Sequence, residues 1–122
     1  MSYKYDLAER LINFASDIID ITESLPRSFA GSHLGSQLLR SGTSPALHYG
    51  EAQSAESRSD FIHKMKVCLK ELRESFNCLR LIAKKSWLHH HKLDKCELCG
   101  ELIAIFMKSI DTAKSRAVEN KR

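Results

Sequence analysis

The stretch Ser57-Arg-Ser-Asp-Phe-Ile-His-Lys-Met-Lys-Val-Cys-Leu-Lys-Glu-Leu-Arg-Glu-Ser-Phe-Asn-Cys-Leu-Arg-Leu-Ile-Ala-Lys84 reads as one long helix. Ser57 followed by Asp60 is a capping-box pattern, in which the serine oxygen accepts a first-turn N–H and the acid reaches back. Phe61, Met65, Cys68, Leu72, Ser75, Leu79 and Ile82 then recur at alternating gaps of four and three. That spacing keeps side chains on one face of a helix. A second row, Ile62, Leu69 and Phe76, runs beside the first, and Val67, Cys78 and Leu81 lie on yet another side. One apolar stripe is enough for a helix in a bundle, so the surplus must be buried elsewhere. Ile62, Leu69 and Phe76 are therefore the expected contact with further copies of the chain. The helix is expected to end near Lys85.

The flanking segments carry the same period. From about Asp6 to Ser24, the residues Leu7, Leu11, Phe14, Ile18, Ile21 and Leu25 are spaced 4, 3, 4, 3, 4, and Pro26 follows. The spacing is the seam of a helix packed nearly parallel to its neighbours, and the proline stops it. A second helix is expected behind a Ser32 cap, with Leu34, Leu38 and Leu39 as its apolar face. It then meets Ser41-Gly-Thr-Ser-Pro-Ala-Leu47, where Pro45 removes one helical hydrogen bond and costs about 3 kcal/mol. The helix must kink there, or break and resume; close packing over the small residues would recover part of that cost. Gly50 to Ala55 reads as its exit. Beyond the long helix, residues 86–91 read as a loop. A fourth helix is expected from Lys92 to Val118, with Leu93, Cys96, Gly100, Ile103, Met107, Ile110 and Ala113 in phase. Four long segments with short connections and no strand pattern predict an all-α, up-and-down antiparallel four-helix bundle, kinked near Pro45. The chain reads as one domain over 1–122, with 119–122 as a disordered tail.

Composition sets the outer bounds. The 122 residues are 43% apolar and 28% charged, ordinary for a soluble domain. No apolar run approaches the roughly 20 residues of a membrane helix. The N-terminus lacks the apolar core of a signal peptide, so a cytoplasmic location is expected, with the four cysteines as thiols. No phosphate-cradling glycine loop, serine elbow or paired-carboxylate pattern appears, and no cofactor is expected. The formal charge of +4 is unevenly spread: residues 58–92 carry nine Lys/Arg against three Asp/Glu, while residues 1–57 carry four against seven. One concentrated basic segment suits a polyanion partner.

Four constellations stand out. Lys66, Lys70, Arg73, Asn77, Arg80 and Lys84 are spaced 4, 3, 4, 3, 4 and line one flank of the long helix. Cations so spaced can follow a phosphate backbone, each contact releasing counterions; the plain alternative is a solvated face. Few aromatics lie near, so base stacking is not expected. Arg58 and His63 resemble the Arg-x4-His motif of small helical RNA-cleaving domains, where the two groups converge only at a dimer cleft. His89, His90 and His91 precede Cys96 and Cys99 with zinc-ligand spacing, yet Cys96 falls on the apolar seam, which favours buried thiols over a metal. Arg40, Glu51 and Glu71 could form a buried ion network bracing the Pro45 kink, or stand as separate surface charges.

The stretch Gln37-Leu-Leu-Arg-Ser-Gly-Thr-Ser-Pro-Ala-Leu-His-Tyr-Gly-Glu-Ala-Gln-Ser-Ala-Glu-Ser-Arg-Ser-Asp-Phe-Ile-His-Lys-Met-Lys-Val-Cys-Leu-Lys-Glu-Leu-Arg-Glu-Ser75 resembles a bacterial four-helix bundle family. That family is known from intervening sequences inside 23S ribosomal RNA genes and is related to the accessory variability protein of diversity-generating retroelements. The resemblance extends loosely along the chain, and His48 departs from it, standing where Asn is expected. It implies a four-helix bundle, a ring-like homo-oligomer (a pentamer) and no established catalysis. For the retroelement branch it implies binding to nucleic acid and a reverse transcriptase.

Together these readings predict a non-enzymatic, homo-oligomeric scaffold that binds nucleic acid, RNA ahead of DNA, with little sequence specificity. Lys66, Lys70, Arg73, Arg80 and Lys84 would carry the binding. The alternatives are a metal-independent ribonuclease using Arg58 and His63, and a pure protein adaptor, for example for a reverse transcriptase.

Overall fold

The computed structural model describes residues 3–120, with side chains described over 6–116. Four α-helices follow in order: α1 (Tyr3–Glu23), α2 (Phe29–Gln53), α3 (Arg58–Lys84) and α4 (Lys95–Asn120). A single 3-10 turn, His90–Lys92, sits in the last connection, and no strand occurs among the described residues. Of the tail expected at 119–122, residues 119–120 belong to α4 and 121–122 lie outside the described residues. The helices form the expected up-and-down bundle. Consecutive helices pack extensively, whereas α1 and α4 touch far less. No helix among the described residues is long and apolar enough to cross a membrane.

The seam of α1 is the one its spacing predicts, with Leu7, Leu11, Phe14, Ile18, Ile21 and Leu25 all buried. They meet Leu38 of α2, Met65, Leu72, Leu79 and Ile82 of α3, and Phe106 of α4 in one core. Tyr49 and Phe106 cross that core edge to face, their centroids 5.9 Å apart, and so join α2 to α4.

The second helix starts earlier than expected. Its cap is Ser28, whose side chain accepts the Gly31 N–H at 3.1 Å, and not Ser32. The cause is local crowding. A Cβ on Gly31 would lie 2.0 Å from the Pro26 carbonyl oxygen, so only glycine lets the chain turn from Pro26 straight into a helix. The helix then runs unbroken through Pro45, which is buried. Gly42, three residues earlier, explains how the neighbouring backbone comes so close: a Cβ there would stand 2.7 Å from Ile18 Cγ2. The small residues around the proline thus form the crossing point of α1 on α2.

Ser57 caps α3 as expected, its Oγ accepting the Asp60 N–H at 3.1 Å, while the acid reaches back one residue further than in a regular capping box. The Asp60 carboxylate accepts from Lys64 Nζ at 3.1 Å and from the Glu56 N–H at 3.2 Å. These bonds, the Lys64 one first, hold it below the ordinary carboxylate range. At the other end Ser86 takes a φ of 60°, and the Trp87 N–H returns to the Ile82 carbonyl at 3.1 Å. This is the left-handed helix stop that glycine usually supplies.

The fourth helix is rotated relative to its expected seam. Its buried line is Cys99, Leu102, Phe106, Ile110 and Ala113, whereas Leu93 and Met107 are exposed. Two apolar rows run along this segment, and the larger Phe106 fills the space beneath Tyr49.

Candidate nucleic-acid interface

All six positions of the charged stripe on α3 are exposed: Lys66, Lys70, Arg73, Asn77, Arg80 and Lys84. The reason is angular. The buried line of α3 runs through Met65, Leu72 and Leu79, and each stripe residue sits on the far side of that line. From Lys66 to Lys84 the stripe extends about 27 Å along the axis. None of its five cations makes an ion pair among the described residues, whereas Arg10, Arg40, Lys64, Lys92 and Lys95 each meet a carboxylate. Arg73 donates to the Met107 sulfur at 3.5 Å, and Arg80 lies over the Phe76 ring, 5.8 Å from its centroid. Asn77, Arg80, Leu81 and Lys84 line a shallow cleft of about 510 Å³. The approach of Arg80 to Phe76 is absent from the sequence reading, although their i, i+4 spacing is the signal for it.

The chain is described by 23S rRNA-intervening sequence protein over residues 4–108. It belongs to that family. The bundle is also similar to a crystal structure from Bacteroides thetaiotaomicron VPI-5482, a protein with unknown function from the S23 ribosomal protein family. The two share 25% identity with a TM-score of 0.80, over 90% of this chain and 99% of the other. Among curated proteins none matches. The family assignment agrees with the resemblance seen between Gln37 and Ser75.

The row expected to face other copies is in part used inside the bundle. Leu69 is 8% exposed and belongs to the core, and Ile62 and Phe76 are partly buried against it. Phe76 faces α4, where Gly100 approaches it. The surplus of the row is therefore partly absorbed inside the bundle. The large apolar side chains that remain open are on other surfaces, including Ile12, Ile19, Leu39, Leu47 and Leu81.

The ion network is also different. Arg40 Nη1 donates to Glu71 Oε2 at 2.7 Å, its other nitrogen meets Glu74, and Gln37 accepts as well. Glu51 takes no part; it lines a cleft with His48, His63, Lys64 and Val67. The Arg40 side chain is 51% exposed, so the cluster is a surface clamp between α2 and α3 and not a buried brace. Hydrogen bonding to Glu74, then the Glu71 and Glu74 charges, raise the guanidinium pKa further.

Arg58 and His63 diverge within one chain. Five residues apart on a helix, they point about 140° away from each other, and Arg58 does not line the cleft that holds His63. The cysteine–histidine group does not converge either. Among the described residues no three His, Cys, Asp or Glu come together as a metal site would require. Cys99 is fully buried and donates to the Leu72 carbonyl at 3.3 Å, and burial pushes its thiol up to about 12. His89 and His91 instead stack on each other in the exposed connection, 5.7 Å apart. Ser44 Oγ lies 3.0 Å from His48 Nδ1, so the departure at position 48 is met by a local bond within α2.

Proposed function

We propose that this chain is a non-enzymatic, self-associating scaffold that binds nucleic acid, RNA ahead of DNA, along the outer face of α3. The observation that carries the reading is the set of five exposed cations without a carboxylate partner among the described residues, aligned on one face. A row of like charges without carboxylate partners is mutually repulsive, and a polyanion relieves that repulsion while releasing its own counterions. The family description, which refers to an intervening sequence of 23S rRNA, supports RNA as the polyanion. Binding of this kind follows charge and shape, so weak sequence preference and steep salt dependence are expected.

The test is retention of the chain on RNA as salt is raised. Replacing Lys66, Lys70, Arg73 and Lys84 by Glu should abolish retention at physiological salt while helicity stays intact. Each single replacement by Ala should lower the salt slope by about one. Retention unchanged in the reversed variant would refute the assignment.

A further inference from the structure

We infer that the cleft beside Arg80 on α3 takes an unstacked nucleobase, so that the preferred polyanion is single-stranded. This rests on the basic-face reading and adds to it the chemistry of one position on that face.

The cleft differs from the rest of the stripe in what lines it. The Arg80 guanidinium carbon lies 5.8 Å from the centroid of Phe76, and Phe76 is packed against the core. A planar cation within cation–π distance of a ring is partly restrained by it and can stack a second flat group on its open side. Leu81 is 54% exposed and lines the same cleft as an apolar wall. Asn77 is the one uncharged member of the stripe and also lines the cleft. Its amide offers donors and an acceptor to the edge of a base, which a track for phosphates alone does not need. Lys84 completes the lining with an ammonium suited to the adjoining phosphate. At about 510 Å³ the cleft is within the ordinary range of small-molecule sites, roughly 300–1,000 Å³.

A duplex can lay its phosphates along Lys66, Lys70 and Arg73, but its base faces are already stacked. Only a single strand, a loop or a flipped-out nucleotide presents a free π-face to Arg80.

The experiment compares binding of the intact chain to three probes at fixed salt: a short single-stranded RNA, an abasic strand of the same length, and the corresponding duplex. The single strand should bind about tenfold more tightly than the abasic strand. Arg80→Lys keeps the charge but loses the planar group, so it should close that gap and leave the salt slope unchanged. Phe76→Leu should also close it, and Arg80→Lys keeps the test decisive if Phe76→Leu disturbs packing. Equal affinity for base-bearing and abasic strands overturns the inference, as does a gap that survives Arg80→Lys or a preference for the duplex. Failure of all three probes to bind at low salt overturns the basic-face reading itself.

Discussion

Ser75 Oγ of α3 lies 2.9 Å from Ser41 Oγ of α2, and both residues are fully buried. Ser75 Oγ is also 3.1 Å from the Glu71 carbonyl of its own helix. Ser75 Oγ donates to Ser41 Oγ, which in turn lies 3.5 Å from the Leu38 carbonyl of α2, so the two hydroxyls bridge the helices in an otherwise apolar crossing. Ser75→Ala should destabilise the fold by roughly 1–2 kcal/mol, because the buried Ser41 hydroxyl then lacks its cross-helix partner. Removing both hydroxyls in Ser41→Ala with Ser75→Ala should cost less than the sum of the singles. Urea unfolding of the three variants measures this; strict additivity would show that the hydroxyls do not interact.

Two glycines of α2 should respond oppositely to alanine. At Gly42 the added methyl meets Ile18 Cγ2 at 2.7 Å, Cγ1 at 2.8 Å and Cβ at 3.1 Å, so the helices must separate. Gly42→Ala should destabilise by about 1–3 kcal/mol, overriding its gain in helix propensity. At Gly50 nothing lies within 4 Å, and Gly50→Ala should stabilise by about 0.5–1 kcal/mol. Thermal unfolding of the pair checks the closeness of the α1–α2 crossing. A stable Gly42→Ala would mean the helices are further apart than described.

Local periodicity made the helices legible in the sequence, but it left their mutual register open. The seam of α1 and the Ser57 cap of α3 needed only residues within a few turns of each other. The partners of Arg40 did not. With Ser41 beside Ser75, the antiparallel register puts residue 40 opposite 71–74 and carries Glu51 to the level of His63. Arg40 and Glu51 are then about 16 Å apart along α2, too far to share a partner. Glu74 was readable as the other acid on that side of α3, three residues from Glu71, once the register was known. The start of α2 was missed because the deciding contact, Gly31 on the Pro26 carbonyl, is steric and not a matter of capping preference. The burial of the second α3 row was hidden for a related reason. Ile62, Leu69 and Phe76 are surplus to the main α3 stripe, but Leu69 is buried in the core and the other two pack partly against it, and periodicity of one helix does not show how wide its neighbours' coverage is.

The cysteines should titrate as buried thiols. Desolvation pushes Cys68 to about 11 and Cys99 to about 12, and raises Cys78 and Cys96 as well, with Arg80 acting the other way on Cys96. A thiol whose folded pKa is raised stabilises the fold fully below its unfolded pKa, and that stability is lost as pH rises toward the folded value. The bundle should therefore hold its thermal midpoint through neutral pH and lose stability above about pH 9. Alkylation at pH 8 should label Cys96, the least buried, first, and Cys99 last. Mass spectrometry of partly labelled protein gives the order; early labelling of Cys99 would contradict its burial.

Self-association, if it follows the open apolar surface, should run through α1. Arg10, Asn13 and Asp17 face α4, where Arg10 meets Glu101 at 3.2 Å. Ile12 and Ile19, seven residues apart, lie on the side of α1 turned away from α4 and are 51% and 41% exposed. Leu39 and Leu47 of α2 are 43% and 72% exposed. These are the open aliphatics of two adjoining helices, and burying the exposed part of each, about half a side chain, would contribute roughly 1 kcal/mol. The basic stripe lies on the diagonally placed helix, so an assembly through α1 leaves α3 free for RNA and repeats its cations on every copy. Ile12→Lys with Ile19→Lys should shift the sedimentation profile to monomer without loss of helicity, and should weaken RNA retention through lost avidity while leaving single-chain affinity intact. A wild-type chain that sediments as a monomer at micromolar concentration would remove self-association from the proposed function. An assembly unmoved by the double variant would place the contact on another face.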